Sequence, residues 1–167
     1  MKNSGITLIE LMVVISIIAI LAIALGFSFV GWQGRYKVER TTKELYTDLM
    51  DARARAVTRN RAYFADFLSG ITYRIIEDTN DNGAIDGGDA ATPKSVEYTM
   101  TIGTTGVEPP ITFNFDKRGI SSPERTICMF TTVDPDYDCI VISQTRMNMG
   151  KIINQANQCN AANCNAK

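Results

Sequence analysis

A chain of 167 residues with 17 basic and 18 acidic side chains carries a formal charge of −1 and contains no histidine. The missing histidine excludes Ser-His-Asp and Cys-His catalysis and every histidine-ligated metal centre, and a near-neutral charge without a basic cluster argues against a nucleic-acid partner. The length suits one anchor helix and one modest globular domain.

Residues 11–30 form an apolar run whose only polar side chains are serines. As a helix it is long enough to cross a hydrocarbon core of about 30 Å. Glu10 stands at its entrance, where a carboxylate is costly unless it finds a partner. A secretory signal peptide places its small-residue cleavage site after the apolar core. Here Gly5 lies before it, so a cut between Gly5 and Ile6 removes a leader, residues 1–5, and leaves the apolar helix, residues 6–30, on the mature chain. The flanking charges point the other way. Lys2 precedes the run and Arg35, Lys37 and Arg40 follow it, which by the positive-inside rule alone places the larger part in the cytoplasm.

Residues 32–60 contain no proline. Val38, Thr42, Leu45, Leu49, Ala52 and Ala56 recur at spacings of four and three and share one helical face, with Lys37, Glu44, Asp48, Asp51 and Arg55 elsewhere. The pattern predicts one long helix over 7–60, its amphipathic half at 31–60 laid on an apolar surface. The small residues Ala52 and Ala56 suit close packing on a sheet better than a free coiled-coil stalk.

Beyond residue 60 the period changes. Short runs rich in Ile, Val, Phe, Tyr and Thr at 62–68, 71–76, 95–102, 111–115, 127–132 and 139–143, with a last one at 151–153, are separated by Gly, Pro or Asp and predict antiparallel strands. One helix followed by a series of strands predicts an α+β domain over 61–153 with the helix across a sheet. The tail, 154–167, is rich in Asn, Gln and Ala and has little to bury; it frays unless a Cys159–Cys164 bridge staples it.

One loop has a metal-binding pattern. Asp78, Asn80, Asn82, Asp86 and Asp89 occupy positions 1, 3, 5, 9 and 12 of a calcium loop, with Gly83 at the sharp turn and the carbonyl of Ala84 at position 7. Asp89 replaces the usual longer glutamate, which weakens the site, and no helix pair flanks it. Calcium would be structural here. The same Asn, Asp and Gly residues equally serve a solvated hairpin loop.

The four cysteines, Cys128, Cys139, Cys159 and Cys164, all lie late in the chain. Their even number suggests disulfides in an oxidising compartment. Three pairings are open, and sequence proximity favours Cys128–Cys139 with Cys159–Cys164. The spacings do not match a zinc site at both ends.

Ser4-Gly5-Ile6-Thr7-Leu8-Ile9-Glu10, followed by Leu11-Met12-Val13-Val14-Ile15, resembles the class III signal of type IV prepilins and type II secretion pseudopilins. The resemblance implies cutting between Gly5 and Ile6 by a prepilin peptidase, N-methylation of Ile6, and pairing of Glu10 with the amino terminus of a neighbouring subunit. Each of those charges is stranded alone in lipid and neutralised when subunits meet. The chain departs from the family in starting with Ile6 where most members have Phe, and in carrying Gly26 and Phe27 where many have a helix-bending proline.

Glu44-Leu45 through Asp51-Ala52-Arg53, with Ala56-Val57-Thr58-Arg59-Asn60, resembles the L-x-x-D-L-x-x-A-R-x-x-A segment of minor pilins and pseudopilins of the GspH/FimT kind. Phe113-Asn114-Phe115-Asp116-Lys117-Arg118-Gly119 is similar to their glycine-ended turn, and Ile140-Val141-Ile142-Ser143 with Gly150-Lys151-Ile152 to their closing strands. The resemblance implies a pilin-like lollipop and a non-catalytic minor pilin of a type IV pilus. Such a subunit is single-pass in the inner membrane, with its C-terminal domain in the periplasm and at the cell surface after assembly. The alternatives are a pseudopilin of a type II secretion system and a membrane-anchored, calcium-dependent binding module that does not polymerise.

Overall fold

The computed structural model describes residues 6–103, 110–156 and 158–167, and of residues 24–30 the backbone alone. The chain divides into two units, Met1–Gly34 and Arg35–Lys167. One helix, α1 (Leu8–Arg59, 52 residues), contributes to both.

In the first unit α1 is apolar all round. Five consecutive side chains, Leu11, Met12, Val13, Val14 and Ile15, are each at least half exposed, and Ile17, Ile18, Ile20, Leu21 and Ile23 are as open. Consecutive positions cover every face of a helix, so no single stripe accounts for this composition; a helix of this kind belongs in lipid or among other helices. Among the described residues no helix is long and apolar enough to cross a membrane. The span expected at 6–30 runs over residues 24–30, whose side chains lie outside the described residues.

In the second unit α1 is amphipathic, as its sequence predicts. Val38, Thr42, Leu45, Leu49, Ala52 and Ala56 are buried, joined by Thr41. The helix stops at Asn60, which takes a left-handed conformation (φ 52°), while the Arg61 N–H reaches back to the Ala56 carbonyl at 3.2 Å. This closes the last turn as a Schellman motif, with Asn in the place glycine usually takes.

The strands form two five-stranded sheets where the sequence suggested one. The first contains β1 (Tyr63–Phe67), β2 (Thr72–Glu77), β3 (Ala90–Ser95), β5 (Ile111–Phe115) and β6 (Ser121–Ser122), in the order β3-β2-β1-β5-β6. The second contains β4 (Thr101–Ile102), β7 (Arg125–Cys128), β8 (Cys139–Ile142), β9 (Met147–Ile152) and β10 (Cys164–Ala166), in the order β10-β9-β8-β7-β4. All the pairings are antiparallel. The run at 95–102 is therefore not one strand. It leaves the first sheet at Ser95, enters the second at Thr101, and between them Val96, Tyr98 and Met100 pack inward.

Both sheets contribute to one core beneath α1. From the first come Tyr63, Ala65, Phe67, Tyr73, Ile111, Phe113 and Phe115. The rings of Tyr73, Phe67, Phe113 and Phe115 succeed one another at centroid separations of 5.5, 5.9 and 5.7 Å, within the range in which aromatic pairs gain beyond area burial. From the second sheet come Ile127, Ile140, Ile142 and Met147, which alternate along their strands with Cys128, Cys139 and Ile152 on the opposite face. That opposite face is covered by the tail. The chain from residue 154 does not fray; it forms a 3₁₀ turn (Ala161–Asn163) and pairs as β10 along β9.

Candidate functional site

The first expected site lies where α1 begins. Gly5 lies outside the described residues; Ile6 is 76% exposed. Thr7 precedes the first helical residue, and its hydroxyl accepts the Glu10 N–H at 3.4 Å. The Glu10 carboxylate in turn accepts from the Thr7 N–H at 3.5 Å and the Thr7 hydroxyl at 3.4 Å. Thr7 and Glu10 thus form a reciprocal capping box, which satisfies amides that the first turn leaves without partners. The T-x-x-E spacing was available in the sequence as a capping signal, and the expectation about Glu10 passed over it. Both side chains are exposed, so the carboxylate is accessible to an incoming cation.

The segment resembling the minor pilins docks α1 onto the sheets. Asp48 accepts the Tyr73 hydroxyl on β2 and pairs with Lys94 on β3 at 2.5 Å. Burial, and then Asp48 itself, push the Tyr73 hydroxyl well above the usual tyrosine value. Ala52 and Ala56 are buried against the sheets, and Arg53 Nη2 donates to the Thr145 carbonyl at 2.8 Å. Gly119 ends the turn after β5 with φ +76°, and a Cβ there would stand 3.0 Å from Val57 and 3.3 Å from Arg53 Nε. The turn needs glycine both for its backbone and for its approach to the helix. Asp48 thus ties the helix to the first sheet, and Arg53 ties it to the turn between β8 and β9.

The loop after β2 is closed by its own donors. Asp78, nearly fully buried, accepts the N–H groups of Asn82 at 3.1 Å and Gly83 at 2.8 Å. Asp86 accepts from Asn80 Nδ2 at 2.7 Å, Asn82 Nδ2 at 2.6 Å and the Gly88 N–H at 2.7 Å. These three donors, Asn80 first, hold its carboxyl below the usual range. Asp89 accepts the N–H groups of Thr79 and Asp86, and Ala84 donates its N–H to the Asn82 side chain at 2.8 Å. Gly83 takes φ +75°. The order of oxygen-bearing residues and the turn glycine fit a calcium loop. The amide nitrogens of Asn80 and Asn82, however, face the Asp86 oxygen, and among the described residues no three acidic, cysteine or histidine side chains are placed to hold a metal. Lys117 pairs with Asp81 at 2.6 Å and fastens the loop to the Gly119 turn.

The cysteines pair differently from what sequence proximity favoured. Cys128 bonds to Cys159 and Cys139 to Cys164, with Cα separations of 5.7 and 6.1 Å. The tail doubles back over the outer face of the second sheet, so each strand cysteine meets a tail cysteine. Gly150 makes room on β9 between them, since a Cβ there would lie 2.5 Å from the Asn165 carbonyl oxygen and 2.9 Å from Cys164 Sγ. Two polar residues complete the clasp. Asp138, buried, accepts the Ile152 N–H at 2.6 Å and Gln155 Nε2 at 2.8 Å. Asn163 accepts the Asn154 N–H and donates to the carbonyls of Asn154 and Gln158.

These features coincide with matched families. The prokaryotic N-terminal methylation motif matches residues 1–26, over the capping box and the apolar helix. The family described as type II transport protein GspH matches residues 41–145, more than half of the chain. The chain belongs to the GspH family. The GspH match runs from the docking half of α1 through β8 and stops before β9 and the disulfide-bonded tail. GspH-family proteins are structural, and the prepilin signal marks this one as a pilin- or pseudopilin-like subunit that a prepilin peptidase processes and that assembles with others of its kind. No curated protein and no solved structure matches the chain.

Proposed function

We propose that the chain is a minor pilin of a type IV pilus. It is held in the inner membrane by α1, with its sheets in the periplasm, and is drawn into the filament through that helix. The observation that carries the reading is the apolar, all-round exposed start of α1 with a single carboxylate, Glu10, at its head. Such a helix needs lipid before assembly and other helices after it. An unpaired Glu10 in lipid is the costly state, and the amino terminus that cleavage after Gly5 creates on a neighbour is a cation that relieves it. Two disulfides suit an oxidising compartment, which favours the periplasmic orientation over the one the flanking charges suggest. Catalysis forms no part of this reading.

The test has two arms. Mass spectrometry of the chain from membranes should find a mature form beginning at methylated Ile6. Glu10→Ala should stay in the membrane and be absent from sheared surface filaments, and its normal incorporation would sink the mechanism. The family description favours a second reading, a pseudopilin of a type II secretion system. In that case loss of the chain impairs release of secreted proteins, and surface filaments lack it. An intact Met1 would favour the third reading, an anchored binding module.

The loop at 78–89 carries a subordinate proposal, structural calcium held by Asp78, Asn80, Asn82, the Ala84 carbonyl, Asp86 and Asp89. It requires Asn80 and Asn82 to turn their amide oxygens inward. Calorimetric titration with millimolar calcium tests it against Asp78→Ala, and no heat in the parent chain ends the idea.

A further inference from the structure

We infer that the Asn82–Gly83 step is a site of spontaneous deamidation that the folded loop restrains, with Asp78 as the restraining residue. Asn82 is the only asparagine in the chain followed by glycine. Glycine offers no side chain to hinder approach of its nitrogen to the preceding amide, and both residues are exposed to water.

In the reaction the Gly83 nitrogen loses its proton and bonds to Asn82 Cγ. The Cγ–Nδ2 bond breaks, ammonia leaves, and a succinimide forms. Water then opens the ring at either carbonyl, giving aspartate or isoaspartate. Water is the sole co-reactant and no electron changes hands.

The loop engages the nucleophile's N–H and both ends of the amide it would attack. The Gly83 N–H donates to Asp78 Oδ2 at 2.8 Å. Losing that proton would leave an anionic nitrogen against a buried carboxylate, a like-charge contact that disfavours the reactive form. The Asn82 amide is pinned at both ends, its oxygen by the Ala84 N–H at 2.8 Å and its nitrogen by Asp86 Oδ2 at 2.6 Å. Cγ cannot swing toward Gly83 without breaking one of these bonds. The product disrupts the loop, because an aspartate at 82 sets a carboxylate against Asp86 where an amide donor stood.

The full chain in detergent with EDTA, which removes any dependence on calcium, is incubated at mildly alkaline pH, and residue 82 is followed by peptide mapping. The parent should convert more slowly than a free peptide spanning 78–89. Asp78→Asn, which keeps the side chain's size, should convert about tenfold faster than the parent. Asp86→Ala, at an exposed position, should be faster than the parent by a smaller factor, and Asn82→Gln should show no conversion at 82. Should Asp78→Asn unfold the chain, Asp86→Ala decides. A parent as fast as the peptide, or variants no faster than the parent, would overturn the inference.

Discussion

Cys128 and Cys139 stand directly opposite each other on neighbouring strands, and neither bonds to the other. Each reaches outward to the tail, so the two bridges clamp residues 159 and 164 onto adjacent strands. Peptide mapping under non-reducing conditions should recover Cys128–Cys159 and Cys139–Cys164, and a Cys159–Cys164 fragment would contradict the arrangement. Replacing Cys139 and Cys164 together by serine should cost about 2–4 kcal/mol, as expected for a loop of this length, read as a lowered unfolding midpoint.

Gly150→Ala should be damaging on a scale approaching loss of a bridge, although it removes no bond. Its Cβ meets the backbone of Asn165 as well as the Cys164 sulfur, and backbone cannot rotate away as a side chain can. A destabilisation of about 1–3 kcal/mol is expected from overpacking of this kind. Amide exchange localises it: protection should fall first in β10. Uniform loss across both sheets would mean that Gly150 matters for another reason.

Leu49 and Met50 are neighbours in sequence whose side chains leave α1 about 100° apart. Leu49 is fully buried, whereas Met50 is 39% exposed. Leu49→Ala should therefore cost about 2–5 kcal/mol, and Met50→Ala should stay within about 0.5 kcal/mol of the parent. Equal effects in thermal unfolding would refute the helix orientation.

The pH dependence of stability should carry a signature of Asp138. Burial raises its carboxyl above the ordinary value, while the Ile152 N–H and Gln155 pull in the opposite direction. Between the ordinary value, about 3.9, and the raised one, the folded chain keeps a proton that the unfolded chain has released. Stability is then fullest below that window and falls as pH rises through it. Asp138→Asn should flatten the curve over that interval in denaturant titrations. An unchanged slope would show that another group is responsible.

The buried stripe of α1 was legible residue by residue, because a helix packed on one side imposes its period on the sequence. The bounds 111–115 coincide with β5, where Ile111, Phe113 and Phe115 alternate with exposed or half-buried positions. β3 was invisible. Ala90-Ala91-Thr92-Pro93-Lys94-Ser95 is exposed throughout, so no alternation of burial marks it, and its pairing with β2 alone makes it a strand. The alternation at 95–102 misled for the converse reason: Val96, Tyr98 and Met100 turn inward from a connection that passes between the sheets, so burial alternates there without one strand. The tail could not be read as ordered, because its order rests on two disulfides and the Asp138–Gln155 bond to the second sheet, and on Asn163 contacts within the tail, none of which composition encodes. At the amino terminus the motif gave Glu10 a partner in another subunit, and the structure adds one within its own chain, Thr7.

β3 is the rim of the first sheet. Val96 donates its N–H inward to Ile71, and the alternation of an antiparallel ladder then turns Ser95, Pro93 and Ala91 outward. Pro93, in the middle of that outward set, has no N–H to offer. Where copies of a chain meet, an open ladder of unpaired backbone groups invites strand-to-strand fusion. Pro93 makes this rim a poor template, so a subunit that assembles with others of its kind is guarded there against extending its sheet from one copy to the next.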